Sequence, residues 1–269
     1  MGLGYIFTPI KSWVSTLNEF VKAITLVLNQ IDLDVVPKKR LVDYYLHEYK
    51  SYEQYRDSQI YYNKKKIDWI WADEKTLKRV ASLVKASQKS VENKTDKILG
   101  VCHGARNGFE QRVLNQIIPN SNIIGTDISD TATNFENSIQ WDFHDENPEW
   151  LGKFDFVYSN SLDQSWKPKL ALCTWLNQIK VGGIVIIEHT RYHGPEHAGE
   201  GDPFGVRPVV MPYVLTEWFG HKISISHSVE KKSNMVSSDL DAWLFVLRKN
   251  TDEIINWHFS FMQCVVMNL

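Results

Sequence analysis

The sequence is short of cysteine, of unbroken apolar runs and of net charge, and each shortage removes a class of protein. Three cysteines stand among 269 residues, at spacings that form neither a disulfide framework nor a zinc pattern. Free thiols suit a reducing compartment, so a cytoplasmic protein is expected. The formal charge of -2 leaves no basic excess to neutralise phosphates, so nucleic acid is not an expected partner. Lys64-Lys65-Lys66 is a candidate basic patch, read as a solvated charged turn. The longest apolar segment, near Val21 to Ile31, is broken by Lys22, Thr25 and Asn29, and no transmembrane span is expected. Met1-Gly2-Leu3-Gly4 lacks the basic start of a signal peptide, and Ile6 stands where myristoylation wants a hydroxyl residue. There is no internal repeat or low-complexity segment.

What the chain does have is a series of apolar runs that end in small or acidic residues. Ile98-Leu99-Gly100-Val101-Cys102-His103-Gly104 enters a turn and leads into Phe109-Glu110-Gln111-Arg112-Val113-Leu114. Asn122-Ile123-Ile124-Gly125-Thr126-Asp127, Ile139-Gln140-Trp141-Asp142-Phe143 and Phe154 to Asn160 follow, and Gly182-Gly183-Ile184-Val185-Ile186-Ile187-Glu188-His189 closes the set. Runs of this length, separated by helix-length segments, read as buried parallel strands joined by crossovers. Ile223-Ser224-Ile225-Ser226 and Asp241 to Leu247 add two strands, read as a C-terminal antiparallel pair. The expected fold class is α/β: a Rossmann-like, doubly wound, mainly parallel sheet with that strand pair and a helical N-terminal region.

Trp13, Leu17, Phe20, Val21, Ile24, Val27, Leu28 and Ile31 keep helical spacing. The opposite face is not rich in Lys and Arg, as membrane-surface helices usually are. Packing on the domain or on a partner subunit is expected, and a homodimer through the N-terminal helices is one such assembly. A second, Tyr-rich helical region is expected from Leu41 to Tyr62. Asp73 reads as an N-cap, with Leu77, Val80, Leu83 and Val84 as the buried stripe. The expected organisation is a helical region over 1–93, an α/β domain over 94–250, and an apolar tail over 251–269.

In such sheets ligands bind beyond the carboxyl ends of the strands. Gly104 and Gly108 would let backbone approach a ligand, with helix N–H groups facing it, although a plain tight turn explains two glycines as well. Asp127 ends the second run, where a carboxylate accepts from both ribose hydroxyls or else caps the next turn. Asp142 could accept from an adenine amino group, with Phe143 enclosing the base, or serve as a turn carboxylate.

Taken together, these residues resemble the class I S-adenosylmethionine-dependent methyltransferases. The matching motifs are the Gly104 turn, the acidic end at Asp127, Asp142-Phe143, the Phe154–Asn160 run and the Gly182-Gly183 turn. The resemblance implies S-adenosyl-L-methionine as cofactor. It also implies cofactor contacts from Cys102, His103 and Gly104 at the methionine portion and from Asp127 at the ribose, with Ile128 as a further cofactor contact. Asp142 and Phe143 would serve the adenine, and Asn160 would lie near the transferable methyl. The sequence departs from the pattern at Gly100, where the family usually carries an acidic residue, and at Cys102, where it usually carries glycine.

Methyl transfer is chiefly in-line positioning, but a hydroxyl acceptor gains from a base that removes its proton. His189 is the first candidate, Asp163 the second and His193 the third. A strand-end histidine that satisfies loop carbonyls is the competing reading of His189. Tyr192, Phe204 and Tyr213 are candidates to line an acceptor pocket, whereas Trp166, Trp175 and Trp218 read as packing residues. The acceptor expected is a small or glycan-type molecule, methylated at a hydroxyl. Glu188, His189, His193, Glu196, His197 and Asp202 match no metal-ligand spacing, and no metal is expected. Two rivals share the features: an NAD-dependent oxidoreductase, which would want a Gly-x-Gly-x-x-Gly turn that this chain lacks, and a non-catalytic scaffold with this fold.

Overall fold

The apolar runs form one seven-stranded sheet in the computed structural model, which describes residues 19–27, 43–88, 97–232, 240–250 and 253–255. The chain divides into two compact units, Met1–Val42 and Asp43–Leu269. In the first, residues 19–27 form helix α1, with Phe20, Leu26 and Val27 exposed. The rest of the expected Trp13–Ile31 stripe lies outside the described residues.

The second unit begins with strand β1 (Tyr44–Leu46), then helices α2 (Tyr52–Lys65) and α3 (Glu74–Gln88). The expected helix over 41–62 therefore starts later. Tyr44–Leu46 pairs with a strand far along the chain instead, and Ser51 caps α2 by accepting the Gln54 N–H at 3.3 Å. Asp73 caps α3 as expected, accepting the Thr76 N–H at 2.7 Å. Strands β2 (Ile98–His103), β3 (Ser121–Asp127), β4 (Ser138–Gln140), β5 (Phe154–Ser159) and β6 (Ile179–His189) follow, with α4 (Phe109–Ile117) after β2 and α5 (Pro168–Gln178) after β5. The long loop after β6 carries β7 (Phe204–Val206), the partner of β1, and leads to α6 (Met211–Phe219), β8 (Ile223–Lys231) and β9 (Asp241–Lys249).

The sheet order is β4-β3-β2-β5-β6-β9-β8. β4 through β6 are parallel, and β9 runs antiparallel to both β6 and β8. Period-two alternation builds a core on each face. Val101, Val157, Val185 and Ile187 join the α5 and α6 side, with Leu172, Trp175, Val214 and Leu215. Cys102, Phe156, Tyr158, Ile184 and Ile186 join the α3 and α4 side, with Leu77, Val80, Val84 and Leu114. Helices α2 and α3 thus belong to the same unit as the sheet. Of the C-terminal tail, Ile255 is buried and exchanges two hydrogen bonds with the Asn177 amide, at 2.9 and 3.1 Å.

Strand β2 is the pivot. The chain winds outward from it through β3 and β4, then returns to its other side with β5. That reversal places a crevice beyond the carboxyl ends of β2 and β5, between Gly104 and Asn160.

Candidate active site

The turn after β2 is built by glycine at position 104. Its φ is +70°, and a Cβ there would stand 2.5 Å from the Ser161 Cβ, so no other residue lets the β2 and β5 turns lie together. Gly100 is explained from the opposite side, because a Cβ would stand 2.4 Å from the Phe156 ring. The aromatic ring of β5 fills the space that a side chain at this departure from the family pattern would need.

Asp127 locks the next two turns. Its Oδ2 accepts the Arg106 N–H at 3.1 Å, and its Oδ1 the Ser129 N–H at 2.9 Å. The Asn63 side chain also hydrogen-bonds Asp127, and a carboxylate has about four acceptor sites, so capacity for a ligand hydroxyl is left. The capping and ligand readings of Asp127 are therefore compatible. Burial raises its pKa, and the two backbone N–H bonds oppose that shift.

Asp142 is more heavily engaged. Its Oδ1 accepts from the backbone N–H of His144 at 2.9 Å and faces Nδ1 at 2.6 Å, while its Oδ2 accepts the Tyr52 hydroxyl at 2.9 Å. His144 is fixed from behind, its Nε2 2.6 Å from Ser165 Oγ. Burial works to raise the Asp142 pKa, but the hydrogen bonds and charge of His144, with Tyr52, outweigh it and the pKa falls.

Gly104, Arg106, Asp127, Ile128, Asp142 and Phe143 line one wall of a single cleft. Helix α2 supplies the facing wall through Tyr55, Gln59, Tyr62 and Asn63, joined by its C-cap residue Lys66. It is tied down at three places: Tyr52 to Asp142, Asn63 Oδ1 accepting the Thr131 hydroxyl at 2.9 Å, and the Gln59 amide donating to Gly201 O at 3.3 Å. Tyr55 stacks on Trp166 at 5.4 Å and donates its hydroxyl to Gln164 O. With α2 in this position the cleft has a volume of about 20 Å³, room for about one water.

Cys102 and His103 lie elsewhere. Cys102 is buried among apolar residues on the α4 side, and burial raises its thiol pKa. His103 stacks on Trp175 at 5.3 Å, with Nδ1 2.8 Å from Thr126 Oγ1 and Nε2 2.8 Å from Gln178 Oε1. Burial pulls its pKa down to about 4. Asn160 donates from Nδ2 to Glu110 at 3.1 Å and accepts from Ser161 at 3.0 Å.

The three candidate bases form one buried chain. His189 Nε2 lies 2.7 Å from the Val206 carbonyl, which can only accept, so Nε2 carries the proton. His189 Nδ1 then holds a lone pair, and His193 Nδ1, 3.3 Å away, donates to it. That leaves the His193 Nε2 lone pair facing Asp163 Oδ2 at 3.7 Å. Burial takes the His189 pKa down to about 4 and pushes that of His193 well below its ordinary value, with His189 and Lys232 adding to the shift. Burial and the Asp202 charge raise the Asp163 pKa, opposed by Lys66 and Arg106, which both line the cleft. Asp163 Oδ1 is buried with no hydrogen-bond partner among the described residues.

Deeper still, Glu188 accepts the Tyr158 hydroxyl at 2.5 Å and pairs with Lys232, all three side chains being buried. Lys232 lies 5.2 Å from the centre of the Trp71 ring. No group of three potential metal ligands occurs among the described residues, and no described helix is long and apolar enough to cross a membrane.

No protein-family model and no curated protein sequence matches the chain. Its likeness is to solved structures. The 1,6-didemethyltoxoflavin-N1-methyltransferase of Burkholderia thailandensis, solved with 1,6-didemethyltoxoflavin and S-adenosylhomocysteine, superposes with a TM-score of 0.55 at 9% identity, covering 75% of this chain and 92% of that one. The N-methyltransferase NodS of Bradyrhizobium japonicum WM9, in complex with S-adenosylhomocysteine, gives 0.50 at 14% identity over 72% and 100%. Against the CurJ carbon methyltransferase the TM-score is 0.49 at 12% identity over 64% of this chain, which spans about half of that protein's length, 54%. The fold shared with the first two of these proteins is that of the class I methyltransferases.

Proposed function

Starting from a class I methyltransferase fold, we propose that this chain transfers a methyl group from S-adenosylmethionine to a small or sugar-containing acceptor, at a hydroxyl. The observation that carries the reading is the convergence of Gly104, Asp127, Ile128, Asp142 and Phe143 on one cleft at the point where the strand order reverses. The residues suit an adenosyl ligand: Asp127 keeps acceptor capacity for a ribose hydroxyl, and Phe143 offers a ring beside the Asp142 carboxylate. The antiparallel β9 beyond β6 supports this reading over an NAD-dependent oxidoreductase. Two neighbours of this fold, at 9% and 14% identity, are methyltransferases by name.

When bound, the cofactor supplies an electrophilic methyl on a sulfonium, so the chain's own task is to place a nucleophile in line and to take its proton. Of the three candidate bases, His189 has both ring nitrogens committed, one to a carbonyl and one to His193. Asp163 keeps an oxygen free. We assign it the proton-accepting role, with His193 facing its other oxygen and His189 fixing the tautomer of His193. Incubation with methyl-labelled S-adenosylmethionine and a panel of hydroxylated metabolites and glycosides tests the activity. Label recovered as an O-methyl ether supports the reading; label found only as N-methyl or C-methyl groups of these acceptors removes the hydroxyl assignment.

A further inference from the structure

Glu110 is an acidic residue placed where a soluble helix would ordinarily show it to water, and it is buried. It is the second residue of α4, it is 7% exposed, and Asn160 Nδ2 donates to its Oε1 at 3.1 Å. Among the described residues no cationic side chain forms an ion pair with it, and Arg106 favours its ionised form only through longer-range charge. Buried carboxylates ordinarily have a charge partner. A helix N-terminus favours a negative charge, yet here burial dominates and the carboxyl is pushed up to about 7.

Its place in the fold says which end of a ligand it would meet. Asn160 ends β5, and its Oδ1 lies 3.0 Å from the Ser161 hydroxyl, which is itself 3.3 Å from the Gly104 carbonyl. Gly104 lines the cleft with Asp127 and Asp142. The Glu110–Asn160 pair is therefore joined through Ser161 to Gly104, which shares the cleft with the carboxylates assigned to the adenosine.

We propose that Glu110, oriented by Asn160, is the counter-ion for the ammonium of the amino-acid portion of an adenosyl ligand. This rests on the methyltransferase reading of the cleft. An ammonium at this carboxyl makes a charge-assisted hydrogen bond and holds Glu110 ionised, so binding expels the proton that the free protein partly retains.

Titration calorimetry on the full chain tests it with two probes, S-adenosylhomocysteine and 5′-methylthioadenosine, which lacks the amino-acid portion. Glu110→Gln should weaken S-adenosylhomocysteine by roughly 10- to 100-fold, the range for a lost charged hydrogen bond. It should leave 5′-methylthioadenosine within about two-fold, given that the glutamine keeps the Asn160 contact. In the unmodified protein at pH 7, buffers of different ionisation enthalpy should report release of about half a proton per S-adenosylhomocysteine, from a carboxyl near pH 7; this measurement needs no variant. Equal weakening of both ligands in Glu110→Gln, weakening of neither, or no proton release overturns the role of Glu110. If the unmodified protein binds neither ligand, the adenosyl reading falls and this inference falls with it.

Discussion

His189 and His193 face each other nitrogen to nitrogen, Nδ1 to Nδ1 at 3.3 Å. Because His189 Nε2 must donate to the Val206 carbonyl, the protons along the pair have one neutral arrangement, and it ends in a lone pair directed at Asp163. On the proposed reading, Asp163 is the group that takes the substrate proton, and its raised pKa enters the rate.

Asp163 can act as a base only once ionised. Its pKa is raised by burial and by Asp202, so the rate with a hydroxyl acceptor should climb with pH above the ordinary carboxylate range of about 4. Asp163→Asn should cost roughly 100-fold or more in kcat and flatten that limb. His193→Gln should shift the limb without abolishing turnover. A pH profile unchanged by Asp163→Asn would assign the proton to another group.

Asp127 holds two turns and, on this account, a ribose. Asp127→Asn keeps the shape but turns one oxygen from acceptor to donor, and should weaken S-adenosylhomocysteine by about 10-fold or more. Unchanged affinity in a folded variant would leave Asp127 with its turn-locking role alone.

Tyr52 fastens α2 across the cleft through Asp142. On the proposed reading, a ligand of cofactor size needs more room than this cleft offers, and a shift of α2 would supply it. Tyr52→Phe should therefore speed ligand association several-fold in stopped-flow fluorescence, where Trp166, 5.7 Å from Tyr52, supplies the signal. An association rate equal to that of the unmodified protein would show that this tie does not limit entry.

Acid should destabilise the fold through its buried histidines. The pKa values of His103 and His189 lie near 4 in the folded chain, against about 6.5 unfolded. Between these values the unfolded state binds more protons, so stability present above pH 6.5 is lost as pH falls toward 4. The limit is about 3 kcal/mol for each group. Urea midpoints measured at pH 7, 6 and 5 should fall in that order; a constant midpoint would contradict the burial of neutral imidazoles.

Removing one side of the Glu188–Lys232 pair should be costly, because the other charge stays buried. Lys232→Met is expected to lose about 3–5 kcal/mol, while the double variant Glu188→Gln, Lys232→Met should recover a large part of it. Equal losses in both would indicate that the pair contributes no coupling.

Much of the fold was legible because strands buried on both faces are written as near-continuous apolar runs. The sheet from Ile98 to His189, the terminal strand pair and the cap at Asp73 could all be read locally. Gly104, Asp127, Ile128, Asp142 and Phe143 were readable as strand-end residues, and they do meet in one cleft. What could not be read is contact between distant segments. Nothing near Tyr44 announces a strand whose partner is Val206, and nothing near Tyr52 announces Asp142. The order of the three candidate bases depends on which nitrogen of His189 faces a carbonyl, a matter of the loop's path. By its position Glu110 is an ordinary first-turn acid of α4, and only its burial beside Asn160 sets it apart.

The most direct measurement is a calorimetric titration of the purified protein with S-adenosylmethionine, S-adenosylhomocysteine and NAD. The account predicts saturable binding of both adenosyl ligands at one site and no heat from NAD. Binding of NAD with no response to the other two would contradict it, and the cleft lined by Asp127 and Asp142 would then belong to redox chemistry.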